Sequence, residues 1–205
     1  MQSAEDIARD IASQVQDMAG EGRRLIAIAG PPAAGKSTVA EEVARLLGET
    51  ATLVPMDGFH FSNDILDARG LRARKGAPET FDLTGFKSLL SRLRVESEVA
   101  VPTFDRALDV SIGSSVLVEP QHDLIVVEGN YLLLDEPGWR DLAGFWDLSV
   151  FLSVPFETLE TRLIQRWLDH GMEEDAARHR AMSNDIPNAL RVVENVQAAD
   201  LIVEG

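Results

Sequence analysis

The sequence predicts an α/β fold in three layers, a central and mostly parallel sheet covered by helices on both faces. Three observations point to it: apolar runs of strand length alternate with helix-length amphipathic segments, those runs are apolar at successive positions, and a glycine-rich loop joins the first run to the following helix. At 205 residues, with 45% hydrophobic and 26% charged residues, the chain suits one domain, taken here as residues 1–205.

Ile7, Ile11, Val15 and Met18 recur at helical spacing and mark an opening amphipathic helix. Strand-like runs follow at Leu25 to Ala29, Thr52 to Val54, Leu124 to Val127, Leu148 to Leu152 and Leu201 to Val203. In the segment from Thr38 to Leu47, Val39, Val43, Leu46 and Leu47 share one helical face and Gly48 ends it. Further helices are expected over Thr84 to Arg94, Phe156 to His170 and Asn188 to Ala198. Residues 99–118 alternate in polarity and contain Pro102, Gly113 and a serine-rich turn, so a small hairpin-like excursion projecting from the sheet is predicted there. No internal repeat, low-complexity tract or interdomain linker stands out.

The first strand runs into Gly30, Pro31, Pro32, Ala33, Ala34, Gly35, Lys36 and Ser37, followed by Thr38, which spells G-x-x-x-x-G-K-S-T. Glycines at these positions let the backbone curl so that successive N–H groups point at a polyphosphate, and the next helix adds the positive end of its dipole. Lys36 reaches the β- and γ-phosphates, and Ser37 offers a hydroxyl to a bridging Mg²⁺. The fold is therefore expected to be of the P-loop NTPase type, with ATP and Mg²⁺ as its ligands. In doubly wound sheets ligands lie beyond the carboxyl ends of the strands, which directs attention to Met56 to His60 after the second run and to Glu128 to Tyr131 after the third. Asp57 could take the proton of an attacking hydroxyl, or could be an ordinary turn aspartate. Glu128 ends a Walker-B-like run and is suited to hold Mg²⁺ or one of its water ligands.

Charge narrows the partners. A net charge of −15 and a pI near 4.6 exclude a nucleic-acid backbone as the expected target and favour a small molecule. There is no cysteine, which suits a reducing cytoplasm, and no run of transmembrane length, so no membrane partner is expected. Against this acidic background two basic clusters stand out: Arg69, Arg72, Arg74 and Lys75, and later Arg162, Arg166, Arg178 and Arg180. Solvated helix faces would explain them, and so would clamps on a migrating phosphoryl group. Lys75 falls in a basic loop expected to be mobile. Oligomeric state is left open between monomer and homodimer.

Five ordered motifs carry a resemblance that spans nearly the whole chain: G-P-P-A-A-G-K-S-T at 30–38, M-D-G-F-H at 56–60, R-K-G-A-P-E-T-F-D at 74–82, P-T-F-D-R at 102–106 and I-V-V-E-G-N-Y-L-L at 125–133. The sequence resembles the uridine kinase, pantothenate kinase and phosphoribulokinase group of P-loop kinases, close to sugar (fructose) kinases of that group. The resemblance implies that Asp57 is the general base, that Glu128, Lys36 and Ser37 serve metal and phosphates, and that Arg166, with Arg162 behind it, clamps the transferred group from a lid-like segment at 162–185. By position His60, Phe61, Phe104, Arg106 and Tyr131 could line the acceptor pocket, with Asp105 beside Arg106; a structural role for His60 and a hairpin ion pair of Arg106 with Asp105 are the alternatives. Phe104 stands where several relatives have tyrosine, which weakens a nucleoside acceptor.

The expected activity is ATP-dependent phosphorylation of a hydroxyl on a small metabolite, with a sugar such as fructose favoured over pantothenate or a nucleoside. A nucleotide-gated switch or regulatory ATPase is the rival, since it needs a phosphate cradle but no acceptor pocket. The chain lacks the N-K-x-D of guanine-specific switches and the L-S-G-G-Q of transporter ATPases.

Overall fold

A computed structural model describes residues 2–18 and 22–205. Five strands form the main sheet: β1 (Arg24–Ala29), β2 (Ala51–Pro55), β5 (Leu124–Gly129), β6 (Leu148–Ser153) and β7 (Leu201–Glu204). They run parallel in the order β2-β5-β1-β6-β7. Helices α1 (Ala4–Asp17), α2 (Lys36–Leu47), α4 (Leu83–Val95), α5 (Phe156–Asp169) and α7 (Ile186–Glu194) cover it, with short α3 (Asn63–Ala68) and α6 (Glu174–Arg180) between them.

The double-sided covering follows from the period of two along a strand. On β1, Leu25, Ala27 and Ala29 pack into a core with α4, while Ile26 and Ile28 pack into the opposite core with α1 and α2. On β5, Ile125 and Val127 join the first core and Leu124 and Val126 the second. Helix α1 presents Ile7, Ile11 and Val15 to the second core and starts at Ser3, whose hydroxyl accepts the Asp6 amide at 3.1 Å.

The predicted excursion is an antiparallel hairpin of β3 (Val99–Asp105) and β4 (Val110–Val118). Val99, Val101 and Val118 anchor its base in the core, while most of β4 is exposed. The register shifts between Val101 and Thr103, so Pro102, which cannot donate to a ladder, sits at the irregularity. There the hairpin meets Gly58: a Cβ on Gly58 would overlap the Pro102 carbonyl. Glycine after Asp57 is thus required by close backbone approach.

Two expectations need correction. The last helix does not reach Ala198 but ends at Glu194, because the chain beyond it pairs with residues 133–135: Asp135 N donates to Asn195 O at 2.7 Å and Gln197 N to Leu133 O at 2.8 Å. The basic loop expected to be mobile at Lys75 is flanked by two 3₁₀ turns, Arg72–Arg74 and Pro78–Thr80, whose backbone groups are bonded locally.

Replacing Gly58 by alanine should force the hairpin off the turn that carries Asp57. We expect a loss of about 1–3 kcal/mol by urea denaturation, the usual cost of overpacking, together with reduced turnover; wild-type stability would show that the approach is not tight.

Candidate active site

Three parallel neighbours, β2, β5 and β1, end side by side, so the segments after them share one cavity of about 610 Å³. The phosphate loop forms one wall. Its curl uses left-handed backbone at Ala33 (φ 65°) and Gly35 (φ 89°), and Ala34 N closes back onto Pro31 O at 3.1 Å. Helix α2 begins at once with Lys36, which is only 7% exposed and donates from Nζ to Pro31 O at 2.9 Å. Burial lowers the Lys36 ammonium to about 8, against the opposing pull of Glu128 and Asp57. Pro32, Ala33, Gly35, Ser37 and Thr38 line the cavity, while Pro31 and Ala34 are buried within the loop and Gly30 packs against the end of β6.

Glu128 closes β5, opposite Ile28 on one side and Pro55 on the other, and is 6% exposed. Burial, then the Asp57 charge, pushes its carboxyl well above the usual range, with Lys36 pulling it back. Asp57 lies in the 3₁₀ turn Met56–Phe59 and accepts a hydrogen bond from Arg106 Nη2 at 2.7 Å. Arg106, from the hairpin tip, is therefore paired with Asp57 and not with Asp105. Asp105 instead accepts the amides of Ala107 and Leu108, each at 2.9 Å, and holds the turn.

His60 follows on extended backbone. Its Nδ1 donates to Asp57 O at 2.8 Å, so in the neutral ring Nε2 is the acceptor. The ring lies between Phe81 at 4.0 Å and Phe104 at 4.6 Å, and burial lowers its pKa, keeping it uncharged. His60, Phe104 and Arg106 all line the cavity.

Phe61 and Tyr131 do not. Neighbouring residues on extended backbone point to opposite sides, so Phe61 turns away from the cavity and lies under the Arg69 guanidinium at 4.4 Å. Tyr131 is fully buried, stacks edge-on against Phe81 and Trp139, and donates its hydroxyl to Gly76 O at 2.5 Å. It supports the wall from behind. Lys75, expected in a mobile loop, is tied down: Nζ meets Asn63 Oδ1 at 2.7 Å, Asp109 O at 2.9 Å and Asp109 Oδ1 at 2.7 Å, linking the 3₁₀ turns to the hairpin tip.

The remaining wall is the 162–185 segment. Arg166 lines the cavity; Arg162 does not, and approaches Ala33 O at 3.4 Å on the other side of the loop. Trp167 donates Nε1–H to Asp185 Oδ2 at 2.5 Å and carries two guanidiniums over its ring, Arg166 at 5.7 Å and Arg180 at 5.2 Å. Arg180 also donates to Ala73 O at 3.0 Å, tying this segment to the first 3₁₀ turn. Trp167, Asp185 and the buried Asn188 are cavity residues that motif reading missed; Arg72 and Arg180 were visible only as members of basic clusters. A second cavity of about 270 Å³ backs onto the loop between α1, Leu152 and Arg162, and shares Ala33, Gly35 and Thr38 with the first. It has the position and partly apolar lining to take the base of a nucleotide whose phosphates occupy the loop.

The donor set suits a hard cation, since Ser37 and Glu128 offer oxygen only. Among the described residues no group of three or more His, Cys, Asp or Glu side chains forms a protein-only metal cage. Mg²⁺ is commonly held through one or two carboxylates plus substrate phosphates, and a strongly buried carboxylate beside the loop fits that pattern.

A family model described as the phosphoribulokinase / uridine kinase family matches residues 25–204. Among solved structures, the "putative fructose transport system kinase" of Silicibacter sp. TM1040 is 45% identical with a TM-score of 0.91, covering 99% of this chain and 100% of that one. A "putative uridine kinase" of Schizosaccharomyces pombe is 34% identical over 195 residues, 89% of this chain and 83% of the relative. A pantothenate kinase of Enterococcus faecalis is 32% identical over 151 residues, 70% of this chain and 47% of the relative, so the chain spans about half of that protein. With the phosphate loop, the aspartate of D-G-F and the glutamate of E-G brought to one cavity, the chain belongs to the phosphoribulokinase / uridine kinase family of P-loop kinases.

Proposed function

We propose that the protein transfers the terminal phosphoryl group of ATP, with Mg²⁺, to a hydroxyl of a small metabolite, a sugar such as fructose being favoured over pantothenate or a nucleoside. One observation carries the reading: a phosphate loop, a metal-suited acid, a second carboxylate and an arginine of the 162–185 segment line one cavity. A nucleotide-gated switch would need no such walled compartment beyond the phosphates. The name of the Silicibacter relative supports a sugar. The lack of cysteine and, among the described residues, of any helix long and apolar enough to cross a membrane is in keeping with a cytoplasmic setting, which is part of the proposal.

In this reading the loop amides and Lys36 hold the β- and γ-phosphates, and Ser37 and Glu128 hold Mg²⁺ directly or through water. Bound there, Mg²⁺ would neutralise charge that builds between the two phosphates. Asp57 takes the acceptor's proton as its oxygen forms a bond to the γ-phosphorus. The bond from that phosphorus to the β,γ-bridging oxygen breaks, and its electron pair leaves with ADP. Arg166 faces the equatorial oxygens of the migrating group. His60, Phe104 and Arg106 position the acceptor, and the second cavity receives the base.

Asp57→Asn keeps the shape of the side chain and removes its basicity. It should lower kcat by roughly two to four orders of magnitude while leaving the Kd of a non-hydrolysable ATP analogue nearly unchanged; wild-type turnover would remove Asp57 from the chemistry. Lys36 supplies a pH signature. Its ammonium, buried and lowered to about 8, is charged below that pH and neutral above it, so analogue affinity should fall as pH rises, approaching about tenfold per pH unit at the limit of one proton. Titrations from about pH 7 to about pH 10 should show this in the wild type and a flat, weaker profile in Lys36→Met. A flat wild-type profile would contradict the assignment.

A further inference from the structure

Taking phosphoryl transfer to a small metabolite as given, but not the preference for a neutral sugar, we infer that the acceptor carries a fixed negative charge, a carboxylate or a phosphate ester, away from the hydroxyl that is phosphorylated. The cavity inverts the charge balance of the chain. Among the described residues six Lys and Arg side chains line it against four Asp and Glu, although the whole sequence has 19 of the former and 34 of the latter. Lys36 and Arg166 face the donor phosphates. Lys75 has no donor to give, because its three N–H groups are engaged by Asn63 and Asp109.

Arg72, Arg106 and Arg180 are left, arriving from the first 3₁₀ turn, the hairpin tip and the end of α6. Each guanidinium has five N–H donors in a planar fork. Arg180 gives one to Ala73 O at 3.0 Å, Arg106 gives one to Asp57 at 2.7 Å, and Arg72 has only long contacts, 3.4 Å to Asp67 and 3.8 Å to Asp109. Such forks match carboxylate and phosphate oxygens in pairs, whereas a neutral polyol would leave most of these N–H donors without a charged acceptor: Arg180 bonds only a carbonyl, Arg72 makes only long ion pairs, and Arg106 shares the one close carboxylate, Asp57. The reaction sharpens this need. When Asp57 takes the acceptor's proton it stops being the counter-ion of Arg106, and a negative group on the acceptor itself would keep that guanidinium neutralised.

The test is isothermal titration of the full chain with its donor site filled by Mg²⁺ and a non-hydrolysable ATP analogue. Three matched pairs serve as probes: sorbitol and gluconate, fructose and fructose 6-phosphate, panthenol and pantothenate. At least one anionic member should bind more tightly than its neutral partner by about tenfold or more, the worth of one hydrogen bond to a charged group; the pair that responds distinguishes carboxylate from phosphate. Arg72→Gln and Arg180→Gln should each reduce that preference by roughly the same factor without weakening the neutral partner. The inference is overturned if no anionic probe outdoes its partner, or if the preference survives in both variants. Failure of the kinase reading looks different: either the analogue would not bind, or it would bind and no member of any pair, neutral or anionic, would, as in a nucleotide-gated switch without an acceptor pocket.

Discussion

A buried ammonium beside two carboxylates sets the terms for the rest of the site. Lys36 has left water, its Nζ is held by the carbonyl of Pro31, and Glu128 and Asp57 supply the nearest opposite charge. Taking charges out of water costs several kcal/mol per ion unless partners replace the lost hydration. The two cores flanking the sheet hold this arrangement in place, and the loop adds left-handed backbone at Ala33 and Gly35. A polyphosphate with its cation would complete the charge balance there.

Parallel topology turns that local cluster into a site. Because β2, β5 and β1 are neighbours pointing the same way, residues 30–38, 56–60 and 128–130 meet at one edge although they are far apart in the chain. The hairpin and the 162–185 segment then enclose the space from opposite sides. Gly58 lets Pro102 approach closely enough for Arg106 to reach Asp57, and Lys75 fastens the hairpin tip through Asp109. Two cavities share Ala33, Gly35 and Thr38 of the phosphate loop between them, which leaves separate spaces on either side of it for the proposed nucleotide base and acceptor.

Local chemistry was legible in the sequence. The phosphate loop, the apolar strands on either side of it and the acids at the strand ends are written in contiguous residues whose spacing has a direct physical meaning. Features that depend on which way a side chain turns were not. His60 and Phe61 are equally plausible by position, yet an extended backbone sends only one of them into the cavity. Tyr131 follows the E-G pair and looks available, but the turn folds it into the core to support Phe81 and Gly76. The pairing of Arg106 with Asp57 joins residues brought together by a hairpin, and the entry of Asn188 and Trp167 depends on helices packing across the lid segment. Neither leaves a mark in a linear motif.

A crystal structure of the protein with Mg²⁺ and a non-hydrolysable ATP analogue tests this arrangement most directly. Phosphates should lie inside the curl of residues 30–38, Lys36 Nζ should move from Pro31 O to the β- and γ-phosphate oxygens, and the terminal phosphorus should face Asp57 across the cavity. An analogue bound elsewhere, or a terminal phosphate directed away from Asp57, would contradict it.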